Sequence, residues 1–327
     1  MELLPGPQAR VGDLHVPVRL GRAAQAEAAL RQAIERLDRA VAADPNFALA
    51  WAARAEALVL LYVYTSTPDT EALPEARRSA HRALELDSGL AEAHAALGLT
   101  AHTEFAWEEA EREFRKAIEL SPGYAMAYHW YASLLKNRGR FDESMKVRER
   151  ALELDPLSIP IHMGYGLMLS AAGRDEEAEA MYRKAMALDP GHFGILMNLG
   201  ALDERQGRFE EALAKRQMIA SLDPGGSLSE IVAGMRTGWR SEGAEGYWRA
   251  KAEGILRFSR PGFAFHRFEA AEALAQLGRI DEAFEILEGL VAARDPSIYQ
   301  INGEQLLEPL RSDPRYRALL ERAGLIR

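Results

Sequence analysis

The strongest constraint on how this chain can fold is a set of prolines at a constant spacing. Each of them follows a serine or an aspartate and lies 34 residues from the next, at Pro122, Pro156, Pro190 and Pro224. A fixed period of roughly 20 to 50 residues indicates a repeat architecture, in which each unit buries its apolar face against its neighbours. The sequence therefore predicts a stack of similar units, and the length of 327 residues does not set the number of domains.

Small residues recur at fixed positions within these units. Near the middle of the first helix predicted in each unit they are Gly98, Ala132, Gly166 and Gly200. The second helix has a further small residue in each unit, at Ala110, Ser144, Ala178 and Ala212. Small side chains let two helices cross closely. Between the helices, stretches such as NRGRFDE supply a glycine that can end one helix and acidic residues that favour the start of the next. Each unit is therefore predicted to be a helix hairpin.

Less regular copies extend the pattern in both directions. Upstream, AEAALRQAIERLDRAVAADPNF matches a second helix, and the unit after it carries an insertion near residues 62–73. Beyond Pro224 the register is lost in a glycine-rich helical stretch, and it returns around Leu277 and Gly278. The predicted segments are an irregular N-terminus at 1–13, a regular repeat array at 14–226, a divergent helix pair at 227–263, a repeat-like hairpin at 264–298 and a C-terminal cap at 299–327.

A bulky residue precedes the small one in each first helix, and together they resemble the tetratricopeptide repeat (TPR). The bulky residues are Leu97, Tyr131, Tyr165 and Leu199. The resemblance implies an all-α fold, a right-handed α-α superhelix of about eight helix hairpins with a C-terminal capping helix.

Two further stretches resemble a narrower group. PEARRSAHRALELDSGLAEAHAALG and EQLLEPLRSDPRYRALLERAGLIR are similar to the C-terminal TPR arrays of bacterial winged-helix regulators, adenylate or guanylate cyclases and serine/threonine kinases. The motifs of those effector domains are missing from this sequence, including a phosphate-binding glycine loop followed by lysine. The resemblance implies either an excised sensor region or a free-standing relative.

Composition excludes several classes of function. A net charge of -9 and a pI near 5.5 argue against a nucleic-acid surface, which needs a basic footprint. The absence of cysteine removes disulfides, thiolate catalysis and cysteine-ligated zinc. The N-terminus lacks the continuous apolar core of a signal peptide, and no apolar run reaches the roughly 18 residues of a membrane span. We expect a soluble, cytoplasmic protein that contacts neither nucleic acid nor membrane, and a homo-oligomer remains open.

No group of residues indicates catalysis. The histidines fall in consecutive units, but no pair has the i, i+4 spacing of a zinc site, and His94 and His162 occupy a large aromatic position of the repeat. Acidic pairs such as Glu108 and Glu109 begin helices, where they stabilise the helix dipole. The sequence therefore predicts no enzyme, no metal site and no cofactor.

The predicted binding surface is the concave groove that first helices line in a stack of hairpins. Flexible methionines suit a permissive apolar surface, although methionine is also ordinary packing material. Some TPR arrays hold a terminal carboxylate with a basic clamp, and Lys136 and Asn198 match that clamp only in part. Helical spacing predicts that the groove is lined by Glu56, Met126, His129, Ser133, Lys136, Met163, Leu167, Met197, Asn198 and Glu204.

A second candidate surface lies in the divergent helix pair, where aromatic residues alternate with arginines. Such a mixture is typical of an interface hot spot, and it would equally attach an irregular helix pair to the array. The residues are Arg236, Trp239, Arg240, Tyr247 and Trp248.

The predicted function is a non-catalytic scaffold for protein–protein interaction that binds a protein or peptide segment in its groove, in bacterial signalling or regulation. The alternative is a sensor module in which a ligand or peptide controls an effector domain in cis or in trans. An enclosed pocket with convergent polar groups would favour a small-molecule sensor, and an open trough would favour a protein segment.

Overall fold

The structure, a computed structural model, describes residues 23–64, 71–221, 226–258 and 264–326. The predicted irregular N-terminus at 1–13 and part of the predicted insertion lie outside these residues. The described chain forms two compact units, residues 23–131 and residues 132–326. Each unit is an antiparallel stack of helices.

Helices of the first unit pair through alanines. α2 packs on α3, and α4 packs on α5. Ala55 of α2 and Ala80 of α3 are completely buried, so the two helices approach closely. α2 has 17 residues where α4 has 13, which shows that part of the predicted insertion lengthens a helix. The helices are α1 (Ala23–Ala43), α2 (Ala48–Tyr64), α3 (Ala72–Leu86), α4 (Ala91–Thr103), α5 (Trp107–Leu120) and α6 (Ala125–Asn137), within which the boundary between the units falls.

The second unit continues the hairpins and then changes character. Its α-helices are α7 (Phe141–Leu154), α8 (Ile159–Ala171), α9 (Asp175–Leu188), α10 (Phe193–Arg205), α11 (Phe209–Ala220), α12 (Ser227–Phe258), α13 (Ala264–Gln276), α14 (Ile280–Ala292) and α15 (Pro314–Arg322). Two 3₁₀ helices, η1 (Pro296–Gly303) and η2 (Gln305–Leu310), join α14 to α15.

Each hairpin turns at a residue in the left-handed region, as the sequence predicts. Gly139 and Gly173 have φ of 71° and 75° and lie between the paired helices. Phe105 takes the same position in the turn from α4 to α5, with φ of 63°. A side chain is strained there and glycine is not, which explains why glycine recurs in this turn.

The small position of the first helix is needed only where an aromatic ring faces it. A Cβ on Gly98 would lie 2.7 Å from the Phe114 ring, and one on Gly166 would lie 2.4 Å from the Tyr182 ring. At Gly200 the nearest side-chain atom would be 3.9 Å away, which is ordinary contact. The repeat therefore conserves close packing in some hairpins and leaves room in another.

Glycines also shape the divergent stretch. Gly243 has φ of 64° and ψ of -142°, which divides α12 into two arms. A Cβ on Gly238 would lie 2.2 Å from the carbonyl oxygen of Gly246, so the two arms touch through their backbones. The sequence suggests that this stretch holds too much glycine to pack like its neighbours, and the structure shows that the glycines bring its arms closer together.

The predicted all-α stack of helix hairpins is confirmed, since helices are the regular structure of every described segment. Seven hairpins are complete there if the two arms of α12 count as one, and α1 precedes them as a single helix. Its predicted partner helix would fall among residues 1–22, outside the described residues. None of the described helices has both the length and the apolar character needed to cross a membrane.

Candidate functional site

The first helices of the second unit carry a strip of apolar side chains that is only partly covered. Met163 and Leu167 lie on α8, and Met197 lies on α10. Leu167 is 38% exposed, while the two methionines are half-buried. The Met163 methyl group sits over Gly194, since a Cβ there would lie 2.6 Å from it. Asn198 borders the strip and is also half-buried. We call Met163, Leu167 and Met197 the open strip.

The C-terminal ends of the first helices are covered by the chain itself. The side-chain amide of Asn302 donates to the carbonyl oxygen of Asn137 at 2.7 Å, and that of Gln305 donates to the carbonyl oxygen of Ser170 at 2.9 Å. Carbonyls in the last turn of a helix lack intrahelical donors, so they are ready acceptors for such amides. Residues 296–310, which we call the return segment, therefore run across the ends of α6 and α8.

Close packing holds the return segment between these two bonds. A Cβ on Gly303 would lie 2.4 Å from the Cβ of Ala171 and 3.8 Å from the Phe141 ring. On its other side, the Gln276 side-chain amide donates to the carbonyl oxygen of Leu306 at 2.6 Å. Any side chain at position 303 would push the segment away from α8.

The local sequence explains the shape of the return segment. Asp295 precedes Pro296, and its carboxylate accepts from the backbone N–H of Ser297 at 2.9 Å, which begins η1. Glu304 separates the two 3₁₀ helices and accepts from the N–H of Leu306 at 3.0 Å. The apolar side chains of the segment are buried, namely Ile298, Ile301, Leu306, Leu307 and Leu310.

This placement differs from the predicted cap at 299–327. α15 does cover α14, where Arg315 lies 2.9 Å from Asp281 and 4.2 Å from the centre of the Phe284 ring. Residues 299–310, however, return to α6 and α8 and do not simply close the end of the stack. Short 3₁₀ turns with buried leucines can line an inner face, and the sequence pattern could not tell this from an end cap.

A buried ionic cluster joins α10, α11, α12 and α13. Glu204 accepts from Arg216 Nε at 2.8 Å, from Lys251 Nζ at 2.8 Å and from the Tyr247 hydroxyl at 2.6 Å. Arg216 also pairs with Glu269 at 2.9 Å. Burial raises the pKa of Glu204, but the charges of Arg216 and Lys251 outweigh it and hold that pKa below its usual range.

The cluster corrects the prediction that Glu204 lines the binding groove. Its carboxylate side chain is 0% exposed, and every cation that it binds belongs to this unit. Helical spacing correctly placed Glu204 on the inward face of α10, but α12 and α13 cover that face. Glu204 therefore stabilises the fold and is not accessible to a partner.

Charged residues also surround the return segment. Burial raises the pKa of Glu304, and the charges of Arg205, Lys251 and Lys136 oppose that rise. Burial lowers the pKa of Lys136 to about 8, the charge of Arg148 lowers it further, and Glu304 opposes both. Glu304 thus brings a carboxylate into cationic surroundings at the inner ends of the first helices. Ser133, also predicted in the groove, accepts from Arg148 Nη2 at 2.9 Å.

Three of the predicted groove residues belong to the first unit. Met126 and His129 are half-buried on α6, whereas Glu56 is buried on α2. Burial raises the pKa of Glu56 to about 8, and the charge of Glu92 adds to the rise. Glu56 is thus largely covered and corrects the prediction of an open groove position.

Replacing Glu56 by glutamine should stabilise the first unit at neutral pH and not in acid. The folded carboxyl stays protonated up to a pKa of about 8 while the unfolded one ionises above 4.5, so folding takes up a proton and stability falls as pH rises through this window. At pH 7.5 we expect a gain of about 2 kcal/mol, and near pH 4.5 a gain close to zero. Amide hydrogen exchange of α2 and α3 at both pH values measures this. The exposed Glu85→Gln variant is the control, and an equal gain at both pH values would contradict the argument.

The second candidate surface is mostly a packing contact. The Phe209 ring lies 4.8 Å from Trp239 and 4.7 Å from Tyr247, centre to centre, and Trp248 stands edge-on to it at 5.7 Å. Tyr247 and Trp248 are buried, which corrects their placement on a surface. These rings attach α12 to α11, where the glycine-rich arms offer few other apolar contacts.

The polar members of that surface are more accessible. Trp239 donates from its indole nitrogen to Glu210 at 2.8 Å, and Arg236 donates to the Gln217 side chain at 3.3 Å. Arg240 is exposed. An exposed arginine without its aromatic neighbours is not an interface hot spot.

A surface depression of about 630 Å³ lies elsewhere, on α5 of the first unit. Its lining residues are largely charged and pair with one another, with Arg115 2.6 Å from Glu111 and Lys116 3.0 Å from Glu119. It is open and lies on a second helix, so it lacks the enclosure expected of a small-molecule sensor. Among residues 23–64, 71–221, 226–258 and 264–326, no group of three or more His, Asp or Glu side chains is arranged to hold a metal ion.

Comparisons with known proteins place the repeats. Models of the tetratricopeptide repeat match residues 113–146, 132–193 and 166–227. The central part of the chain therefore carries TPR repeats, in the hairpins that the proline spacing predicts. No curated protein matches this chain.

Solved structures support the fold alone. PilW, a type IV pilus biogenesis factor, is 18% identical over 65% of this chain and 96% of its own, with a TM-score of 0.51. PilF of Pseudomonas aeruginosa is 19% identical over 65% of this chain and 95% of its own, with a TM-score of 0.49. YrrB, described as a TPR protein with an unusual peptide-binding site, is 21% identical over 60% of this chain and 96% of its own, with a TM-score of 0.39.

Proposed function

We propose that this protein is a non-catalytic scaffold that binds a segment of a partner protein along the first helices of its second unit. TPR proteins are generally scaffolds for protein interaction. The observation that carries the proposal is the return segment, a stretch of polypeptide that already lies against these helices through amide-to-carbonyl bonds. A surface that accepts one polypeptide by such bonds has the chemistry to accept another.

The open strip is where we place the apolar contacts of the partner. Leu167 is 38% exposed beside two half-buried methionines, whose flexible side chains adapt to different apolar shapes. It lies on α8, whose C-terminal end the return segment covers. A partner segment that follows α8 would thus meet the open strip and the covered end in succession. We keep Lys136 and Asn198 as polar residues at its borders, and Met126 and His129 as a separate proposal for the first unit.

The finer setting rests on the sequence. Because the chain resembles the arrays of bacterial regulators, cyclases and kinases, we propose a role in bacterial signalling or regulation and a cytoplasmic location. We also retain the predicted segment boundaries, with the repeat-like hairpin at 264–298 followed by the return segment and α15.

A pair of leucines tests the proposal. A photo-crosslinking amino acid at Leu167, used in cells of the native source, should capture a partner that the same group at Leu157 does not. Leu157 is 69% exposed in the turn before α8, so it is the more accessible of the two and lies off the proposed surface.

Binding of the purified partner then decides the matter. Leu167→Glu should weaken the affinity by about tenfold or more, since it buries a charge in an apolar contact, while Leu157→Glu should change it by less than about twofold. Isothermal titration calorimetry measures both variants. Equal affinities for wild type and Leu167→Glu would refute the proposed surface.

A further inference from the structure

We propose that the return segment is a built-in competitor of the partner, and that the partner presents the same chemistry, a carboxylate flanked by carboxamides. The inference deepens the proposed function and rests on it. Residues 302–306 of the return segment read Asn-Gly-Glu-Gln-Leu. Each polar group in this stretch is directed at a complementary group of the second unit.

Hydrogen bonds fix the two carboxamides. Asn302 and Gln305 donate to backbone carbonyls in the last turns of α6 and α8, at 2.7 and 2.9 Å. Backbone carbonyls are the same whatever the side chain, so these two acceptors select for an amide donor at a given spacing. They would accept equally from a segment of another protein.

Charge complementarity fixes the carboxylate. Glu304 interacts with Lys136, Arg205 and Lys251, and with the repelling carboxylate of Glu272. Arg205 already pairs with Asp175 at 2.5 Å and Lys251 with Glu204 at 2.8 Å, while Glu304 opposes the loss of charge from Lys136. A neutral segment would leave Lys136 without that compensation in a buried setting, which disfavours it.

Tight packing makes the contact removable without touching the groove. The Cβ of an alanine at position 303 would collide with Ala171 at 2.4 Å, so this substitution lifts the segment by way of its own backbone. The first helices keep every one of their residues. Gly289, on the preceding α14, has no atom within 4 Å of an added Cβ and supplies the matched control.

Competition in cis sets the expected size of the effect. The return segment is held at both ends, by α14 and α15, so its effective concentration over the groove is high. A ligand for a site that is free only part of the time binds more weakly by that fraction. Wild-type protein should therefore bind a free copy of the segment poorly.

The experiment uses a fluorescent peptide with the sequence of residues 299–310 and measures its anisotropy with four full-length proteins. These are the wild type, Gly303→Ala, Gly289→Ala and the double variant Asn302→Ala/Gln305→Ala. We expect the peptide to bind Gly303→Ala and the double variant about tenfold or more tightly than wild type and Gly289→Ala. A peptide carrying Glu304→Gln should lose most of this binding.

Three results would overturn the inference. The peptide could bind all four proteins equally, or the Glu304→Gln peptide could bind as well as the original. The Gly303→Ala protein could also form a dimer as its concentration rises, seen by mass photometry, which would make a second copy the occupant. If peptide binding fails while Leu167→Glu still weakens the purified partner, the competitor is refuted and the scaffold stands. If both fail, the proposed function falls with it.

Discussion

Replacing Glu204 by alanine is expected to lower the unfolding free energy of the second unit by about 3 to 5 kcal/mol, because removing one member of a buried ion pair leaves its partner charged and unpaired. Lys251 is 1% exposed and donates to Glu204 at 2.8 Å, and Arg216 donates to the other carboxylate oxygen. The Tyr247 hydroxyl loses its acceptor as well. Urea unfolding followed by circular dichroism, with amide exchange of α10 to α13, measures the loss.

A second substitution separates the unpaired charge from the lost packing. Adding Lys251→Met to Glu204→Ala removes the stranded ammonium, so the double variant should be more stable than the sum of the two single losses predicts. Glu211→Ala, exposed on α11, is the control and should change stability by less than about 0.5 kcal/mol. Additive losses in the double variant would show that the cluster is not the source of the stability.

The sequence predicts those parts of this fold that are written locally. Proline spacing, turn glycines such as Gly139 and the small residues of the first helices act within one hairpin, so their pattern alone gives the hairpins in order. Helical spacing likewise places Leu167 and Met163 on an accessible first-helix face. These inferences need only the geometry of a single helix and its immediate neighbour.

The remaining features depend on contacts between distant residues. Asn302 meets Asn137, and Lys251 meets Glu204, across stretches where the repeat register is lost. No periodicity links such positions, so the sequence indicates neither the return segment nor the ionic cluster. The inward direction of Glu204 was predictable from its helix, but what covers it was not.

Gly166 and Gly200 should respond in opposite directions to the same substitution, although they hold the same position in successive repeats. The Cβ of alanine at 166 would lie 2.4 Å from the ring of Tyr182, which is buried and cannot move aside freely. We expect Gly166→Ala to cost about 2 kcal/mol by overpacking. At 200 the nearest atom would be 3.9 Å away, so Gly200→Ala should instead gain about 0.5 to 1 kcal/mol from better helix propensity.

The ring itself decides between steric and backbone causes. If the clash with Tyr182 is responsible, Gly166→Ala should be far less costly in a Tyr182→Leu background, where the site opposite the methyl group is smaller. Gly200→Ala should keep its small gain in that background, because its neighbour is Lys215. Urea unfolding midpoints of the four proteins and their parents supply the comparison. Destabilisation of both glycine variants by similar amounts would mean that the first helix needs glycine for its backbone, and that the aromatic ring of the second helix is not the cause.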